Sequence, residues 1–527
     1  MTVLLYILFI ISFLVLGLWI ALQALRKKLL PKEFLFIVSL AASLLIYYLV
    51  FYIYILSPEI AQVVVVLLAV FSFLCLFLII RGIGLVKDSY KHIRHYYLPP
   101  LLIIFGVLVI YGLNFSSCTT NRPILGPYNN IDNRTFCDIS WLPIDNGLPF
   151  FYGNNILHHQ EKERIDTWSL VDRPPLQIAA TLPILDLSQH SSILARFYYY
   201  DLFSVFLQLS WVGAIWGFLQ TLKVNKKLQM LIITGLAATG FFYLNSVFVW
   251  PKLLAGSLAF SGIMFFLGKR GRFEFKYLPV AAILLSLGIL SHGGVLFTII
   301  PFSLLILLRI IRSKHIDLLP CVIAFLCTIT ILVSWYAYHD TITKSDRLVK
   351  YQLAGVTSAA DTRGTLTTIV DQYKKLSLAQ VVKIREQNVK TIVTGNFNFS
   401  NTCPLRFSSL TNKCFSGQWR TLIFFSTLFG LEAFNMGWLA AAYRLARKRF
   451  DSLDKDILLI IAASLIFWVI AMYDPNSTII HQGSYATMML IFVFLAKNLA
   501  DLPVLFLAST TVIQVIIFSF AWIVGYH

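Results

Sequence analysis

Charge is what this chain has least of. Asp, Glu, Lys and Arg make up 13% of its 527 residues, while 58% are hydrophobic. A soluble domain carries about a quarter charged residues, so a water-soluble globular protein is excluded. Cysteine is sparse as well: there are seven, with no CxxC pair and no Cys/His cluster at zinc spacing. That argues against a structural zinc. No convincing internal repeat and no low-complexity tract appear, and the lack of similar halves speaks against a transporter built from paired inverted repeats. Nor do two carboxylates make a clear Mg²⁺ or Mn²⁺ site, so no cofactor or metal ligand is assigned and metal need stays open.

What fills the chain instead is apolar runs of membrane-crossing length, for which roughly 20 residues each are needed. About fourteen recur: 3–25, 34–55, 61–81, 98–115, 196–219, 229–248, 253–268, 277–291, 294–311, 316–335, 421–443, 457–473, 482–499 and 503–525. The first is too long and too closely followed by others to be a cleaved signal peptide. The expected fold class is therefore an all-α membrane protein of about fourteen transmembrane helices.

More than half of the 43 Lys and Arg fall in "RKKLLPK", "RGIGLVKDSYKHIR", "KVNKK", "KRGRFEFK", "RIIRSK", "RLARKRFDSLDK" and at Lys497, between alternate apolar runs. The short loops on the other side hold one, Lys252. This positive-inside pattern puts the basic loops in the cytoplasm and both termini outside it. The net charge of +18 is thus explained by topology, and no nucleic-acid partner is expected. Cys75, Cys321 and Cys327 lie in spans, whereas Cys118/Cys137 and Cys403/Cys414 fall as pairs in outer loops, where an oxidising compartment would allow a disulfide in each.

Two outer segments, about 116–195 and 336–420, are too long to be plain connectors. In the first, "WLPIDNGLPFFYGNNIL" sets Asp145 among Trp141, Pro143, Pro149, Phe150, Phe151 and Tyr152. A partly desolvated aspartate suits a general base or acid; the alternative is that Asp145 caps a short helix over "LPFFYGNNILHHQ". Next comes "DRPPLQIAATLPIL", whose prolines end one helix and start an apolar one. Arg173 is either a phosphate ligand or the partner of Asp172 in a surface pair at a loop corner. In "NSVFVWPKLLAG", Lys252 stands against the charge trend beside Trp250. It either snorkels next to an interface anchor or points into a cavity as a partner for a lipid phosphate. "SHGGVLF" places His292 at a second tight outer turn, lining the same cavity or open to water. "YDPNSTIIHQGSYA" brings Asp474, His481, Gln482 and Tyr485 to that face. Glu432 lies within a span, as a functional carboxylate or as a hydrogen-bonding group between helices. The second loop, with "RGTLTTIVDQYKK" and "VVKIREQNVK", reads as a small folded cap or a solvated basic face.

Taken together, "PIDNGLPFFYGNNIL", "RPPLQ", "VWPKLLAG" and "SHGGVLF" resemble the GT-C superfamily of polytopic glycosyltransferases. The likeness is to the protein O-mannosyltransferase and aminoarabinose-transferase branch and to uncharacterised bacterial relatives. It covers about 98–335 by motif and the rest by topology. The organisation it implies is an added N-terminal helical part (1–97), a GT-C-like core (98–335) containing the loop 116–195, a cap (336–420) and C-terminal helices (421–527). It implies a transferase that moves a sugar from a polyprenyl-phosphate donor to a glycan, lipid or protein acceptor with inversion, in a bacterial inner membrane, with its site facing the periplasm or exterior. Asp145 would be the catalytic base, with Arg173, Lys252, His292, Asp172, His481 and Tyr485 around the substrate. The chain departs from the pattern in having four spans before the large loop and Asp145-Asn146 in place of an Asp-Glu pair, which keeps Asp132, Asp138 and Asp172 as rival bases. Alternatives of other kinds are an O-antigen polymerase or ligase, which would rely on arginines and a histidine around 336–420, and a lipid or glycan flippase with no transferase activity.

Overall fold

The computed structural model describes residues 2–83, 88–115, 147–158, 164–165, 168–169, 174–267, 274–312, 317–343, 347–356, 363–394, 428–473 and 485–525. Within them the chain is helical apart from one two-residue antiparallel pair, Arg164–Ile165 with Trp168–Ser169. Among the described residues seven helices are long and apolar enough to cross a membrane, which makes this a multi-pass membrane protein. They are Val3–Arg26, Lys32–Leu56, Pro58–Arg81, Ser89–Tyr111, Ala195–Thr221, Gly293–Ile311 and Leu318–His339.

Several apolar runs differ from the continuous spans expected of them. The run 229–248 is two helices, Lys226–Ala237 and Gly240–Val247, bent by 67°. The break falls at Thr239-Gly240, where the Thr239 hydroxyl accepts from Phe242 N and caps the second helix. Lys252–Leu267 and Tyr485–Ala500 have 16 residues each, about 24 Å of helix against a hydrocarbon core of about 30 Å. The run 316–335 continues to Thr343, shortening the second outer loop. The described part of the run 421–443 is a 3-10 segment, Phe429–Asn435, leading into the helix Met436–Ala446.

Burial separates a centre from a rim. Along Lys252–Leu267 every residue is buried, and this helix packs against Leu278–Ser291, Tyr485–Ala500 and Ser210–Thr221. A helix apolar on all sides belongs in such a place. By contrast Val63, Leu67 and Val70 of Pro58–Arg81, and Leu318 and Phe325 of the 318–343 helix, are more than half exposed. These faces suit lipid rather than water. Glycines set the central spacing: a Cβ on Gly288 would meet Ala255 O at 3.3 Å, and one on Gly256 would meet Met489 Sδ at 3.0 Å.

The basic ends of the helices share a device. At Lys28, Lys223 and Lys448 the backbone turns left-handed, with φ of 57°, 56° and 55°. Each lysine N–H donates back to the helix, to Leu25, Gln220 and Leu445 carbonyls, and the next residue reaches one turn deeper, as at Leu29 N to Ala24 O, 3.0 Å. The same closure at the end of Pro58–Arg81 uses Gly82, the residue that fits it without strain. A lysine there costs roughly 1 kcal/mol more than glycine. Its charge complements the helix C-terminus and stands among the basic loops. Nearby in sequence, Lys497 binds Asp454 at 2.5 Å and Asp451 at 3.3 Å, and Arg444 binds Asp454 at 3.1 Å and Asp501 at 3.0 Å. That lattice ties three helices around the capping box of Ser452–Ala471.

In the second outer loop, Thr365–Lys374 and Leu378–Thr394 are helices. Asn388 Nδ2 donates to Val469 O and Met472 O, both at 2.8 Å, and Arg385 also reaches both carbonyls. These side chains close the C-terminal end of Ser452–Ala471, whose last carbonyls have no helical partner.

Candidate functional site

The site is built on the turn between Gly240–Val247 and Lys252–Leu267. Two i to i−2 hydrogen bonds, Trp250 N to Phe248 O and Lys252 N to Trp250 O, each 2.6 Å, fold "FVWPK" into consecutive γ-type turns. Pro251 then starts the helix, a position where its missing N–H costs nothing. The result is Lys252 on the first residue of a helix buried along its whole length, only 1% exposed.

A cation at a helix N-terminus opposes the macrodipole, so Lys252 is held there by other means. Its Nζ lies 3.5 Å from the centroid of the Trp250 ring and 5.2 Å from that of Tyr485. Both are within cation–π range, and the tryptophan is nearly in contact. His292, 5% exposed, sets its ring 5.9 Å from Trp250 and accepts Gly294 N–H on Nδ1 at 3.1 Å. Ser291 Oγ donates to Pro251 O at 2.9 Å, fastening the His292 turn to the Lys252 turn. The Tyr485 hydroxyl donates to Asn245 Oδ1, which fixes the second ring.

The first outer loop joins this turn through Gln177. Helix Leu176–Leu187 starts directly after Pro175, as the two prolines require. Fully buried, Gln177 donates through Nε2 to Val249 O at 2.7 Å and to Tyr200 Oη at 3.1 Å. Gln208 donates to Gln177 Oε1 at 3.4 Å and accepts Leu254 N–H at 3.1 Å. That last bond satisfies one of the orphan donors at the start of the Lys252 helix. So "PPLQ", "VWPK" and "SHGG", far apart in sequence, meet in one hydrogen-bonded cluster.

No family model, curated protein or solved structure matches this chain. The site is therefore read from its own chemistry.

Of the residues singled out from sequence, Lys252, His292 and Tyr485 converge around Trp250. Lys252 does not snorkel and His292 is not open to water. Asp145, Asp172, Arg173 and His481 lie outside the described residues, as do Asp132, Asp138, Asp474, Gln482 and both outer-loop cysteine pairs. The helix Leu148–Leu157 forms as expected, with Gly147 at its N-cap position. Glu432 acts between helices: its carboxylate accepts Gly240 N–H at 3.1 Å and a bond from Gln514, which also reaches Ala238 O at 3.0 Å. It stabilises the broken helix, at φ 50° and ψ −129°.

Gln177, Gln208 and Asn245 were not singled out from sequence, although each is an amide in an otherwise apolar stretch. Asp186 was missed too. Its carboxylate accepts Tyr54 Oη at 3.0 Å and Gln62 Nε2 at 2.8 Å, and also Gln189, pinning the outer-loop helix to the first helices. Burial pushes its pKa up, against the lowering effect of those donors. Among the described residues no three His, Cys, Asp or Glu gather as metal ligands.

Proposed function

We propose that this chain is a GT-C-like glycosyltransferase of the bacterial inner membrane, crossing it about fourteen times. It moves a sugar from a polyprenyl phosphate to an acceptor hydroxyl on a glycan, lipid or protein at the outer face. One observation carries the reading: Lys252, a buried cation at the outer-loop junction, is held by aromatic faces where the segments resembling that superfamily meet. A lipid phosphate leaving the anomeric carbon carries off the electron pair of the broken C–O bond, and an ammonium there lowers that barrier. Arg173 would supply a second cation. Asp145 would take the acceptor proton as the hydroxyl oxygen forms the new bond from the opposite side, inverting the centre.

The aromatic lining serves this chemistry in a second way. It excludes water from the ammonium, which strengthens its attraction for a phosphate. The test is sugar transfer by purified protein in lipid vesicles, comparing wild type with Asp145→Ala and Lys252→Met. Loss of transfer in both is expected. Full activity of Asp145→Ala would remove the general-base assignment and move attention to a ligase-type site in 336–420.

A further inference from the structure

At the opposite end of the Lys252 helix, about 18 Å away by its rise, lies a cavity of about 310 Å³. Its wall is formed by the turn 28–34, the end of Ala195–Thr221 and the segment 274–277. Its mouth carries Lys28, Lys32 and Lys276, and its floor is apolar, with Phe34, Phe218 and Phe265. The two acids at the wall are placed differently. Glu274 pairs with Lys276 at 2.5 Å, and Glu33 is 6% exposed.

We propose that this cavity binds a phosphate group, most simply the headgroup of an anionic phospholipid with its first acyl carbons on the aromatic floor. Two features of the cavity support this. The volume suits a phosphorylated headgroup, at the small end of ligand pockets. Lys28 and Lys32 are exposed beside the void, while Lys276 and Glu274 offset one another. By charge this end of the molecule faces the cytoplasm, whose leaflet holds the anionic lipids that basic pockets between helices take up. The site is remote from Lys252 and does not depend on the transferase reading.

The experiment is native mass spectrometry of the full-length protein with short-chain phosphatidylglycerol, short-chain phosphatidylcholine and inorganic phosphate. Phosphatidylglycerol should bind, phosphatidylcholine should not, and Lys28→Gln or Lys32→Gln should each weaken binding about fivefold. Lys223→Gln, at the same kind of helix end but outside the cavity wall, should change it less than about twofold. Lys28→Gly removes the ammonium while relaxing the backbone, so its weakened binding would not reflect a failure to fold. Competition by inorganic phosphate at equal concentration would assign the site to a soluble phosphate, and its failure to compete would assign it to lipid. Equal binding of the two lipids, or unchanged binding in both Lys28 and Lys32 variants, overturns the proposal.

Discussion

The contact that most needs measuring is Lys252 on Trp250. Removing either side chain alone gives a large and ambiguous loss, since truncating a buried tryptophan costs about 3–5 kcal/mol by packing alone. A double-mutant cycle with Lys252→Met and Trp250→Leu isolates the pair. With Nζ 3.5 Å from the ring centroid and the lysine 1% exposed, the interaction is of the desolvated kind, about 2 kcal/mol. Tyr485, at 5.2 Å, lies near the limit of the range and should couple by about 0.5 kcal/mol. The assay is reversible unfolding of purified protein in mixed micelles. The double mutant should be more stable than the sum of the single losses implies, by about 2 kcal/mol, or roughly 30-fold in the unfolding constant. Trp250→Tyr and Trp250→Phe should retain progressively less of that coupling. Strict additivity, or coupling unaffected by the ring, would refute the view that the aromatic face holds the cation.

Other outcomes follow from the same geometry. Gln177→Leu leaves Val249 O buried without its donor and should destabilise by about 1–3 kcal/mol, read in the same unfolding assay. Glu432→Leu removes the acceptor for Gly240 N–H and Gln514 and should cost about 2 kcal/mol, with Glu432→Gln losing less. Lys28→Gly, Lys223→Gly and Lys448→Gly should each relieve roughly 1 kcal/mol of left-handed strain, raising the unfolding midpoint. For Asp186, a folded pKa above the ordinary 3.8 means that the folded state holds its proton more tightly than the unfolded state. Its contribution is present in full below pH 3.8 and is lost as pH rises through the raised value. Asp186→Asn should therefore flatten the decline in stability on the alkaline side of 3.8, measured as unfolding midpoint against pH.

How much of this could be read from residues alone depends on range. The long apolar helices and their basic ends were legible, because hydropathy and loop charge act locally. The break at Thr239-Gly240 was also written locally, as a cap residue before a glycine, yet hydropathy alone merges the two pieces. Lys252 stood out because it opposed a trend. What sequence did not disclose was its holder: Trp250 is two residues away and reads as a lipid anchor, and Tyr485 is more than two hundred residues distant. Gln177 was invisible for the same reason, since its partners are Val249 in a distant turn and Gln208 on another helix. Glu432 was ambiguous until Gly240 and Gln514 appeared around it. The charged residues of "DRPPLQ" lie outside the described residues, while its glutamine supplies the link to the site.

Sugar transfer and lipid transport differ in one measurable quantity, the mass of the donor. Purified protein in vesicles is supplied with polyprenyl-phosphate-linked sugars and an envelope acceptor extract, and donor and product are followed by mass spectrometry. The expected result is loss of a sugar mass from the donor with its gain on an acceptor, abolished by Lys252→Met. Donor that crosses the bilayer with its mass unchanged would contradict the transferase reading and identify a flippase instead.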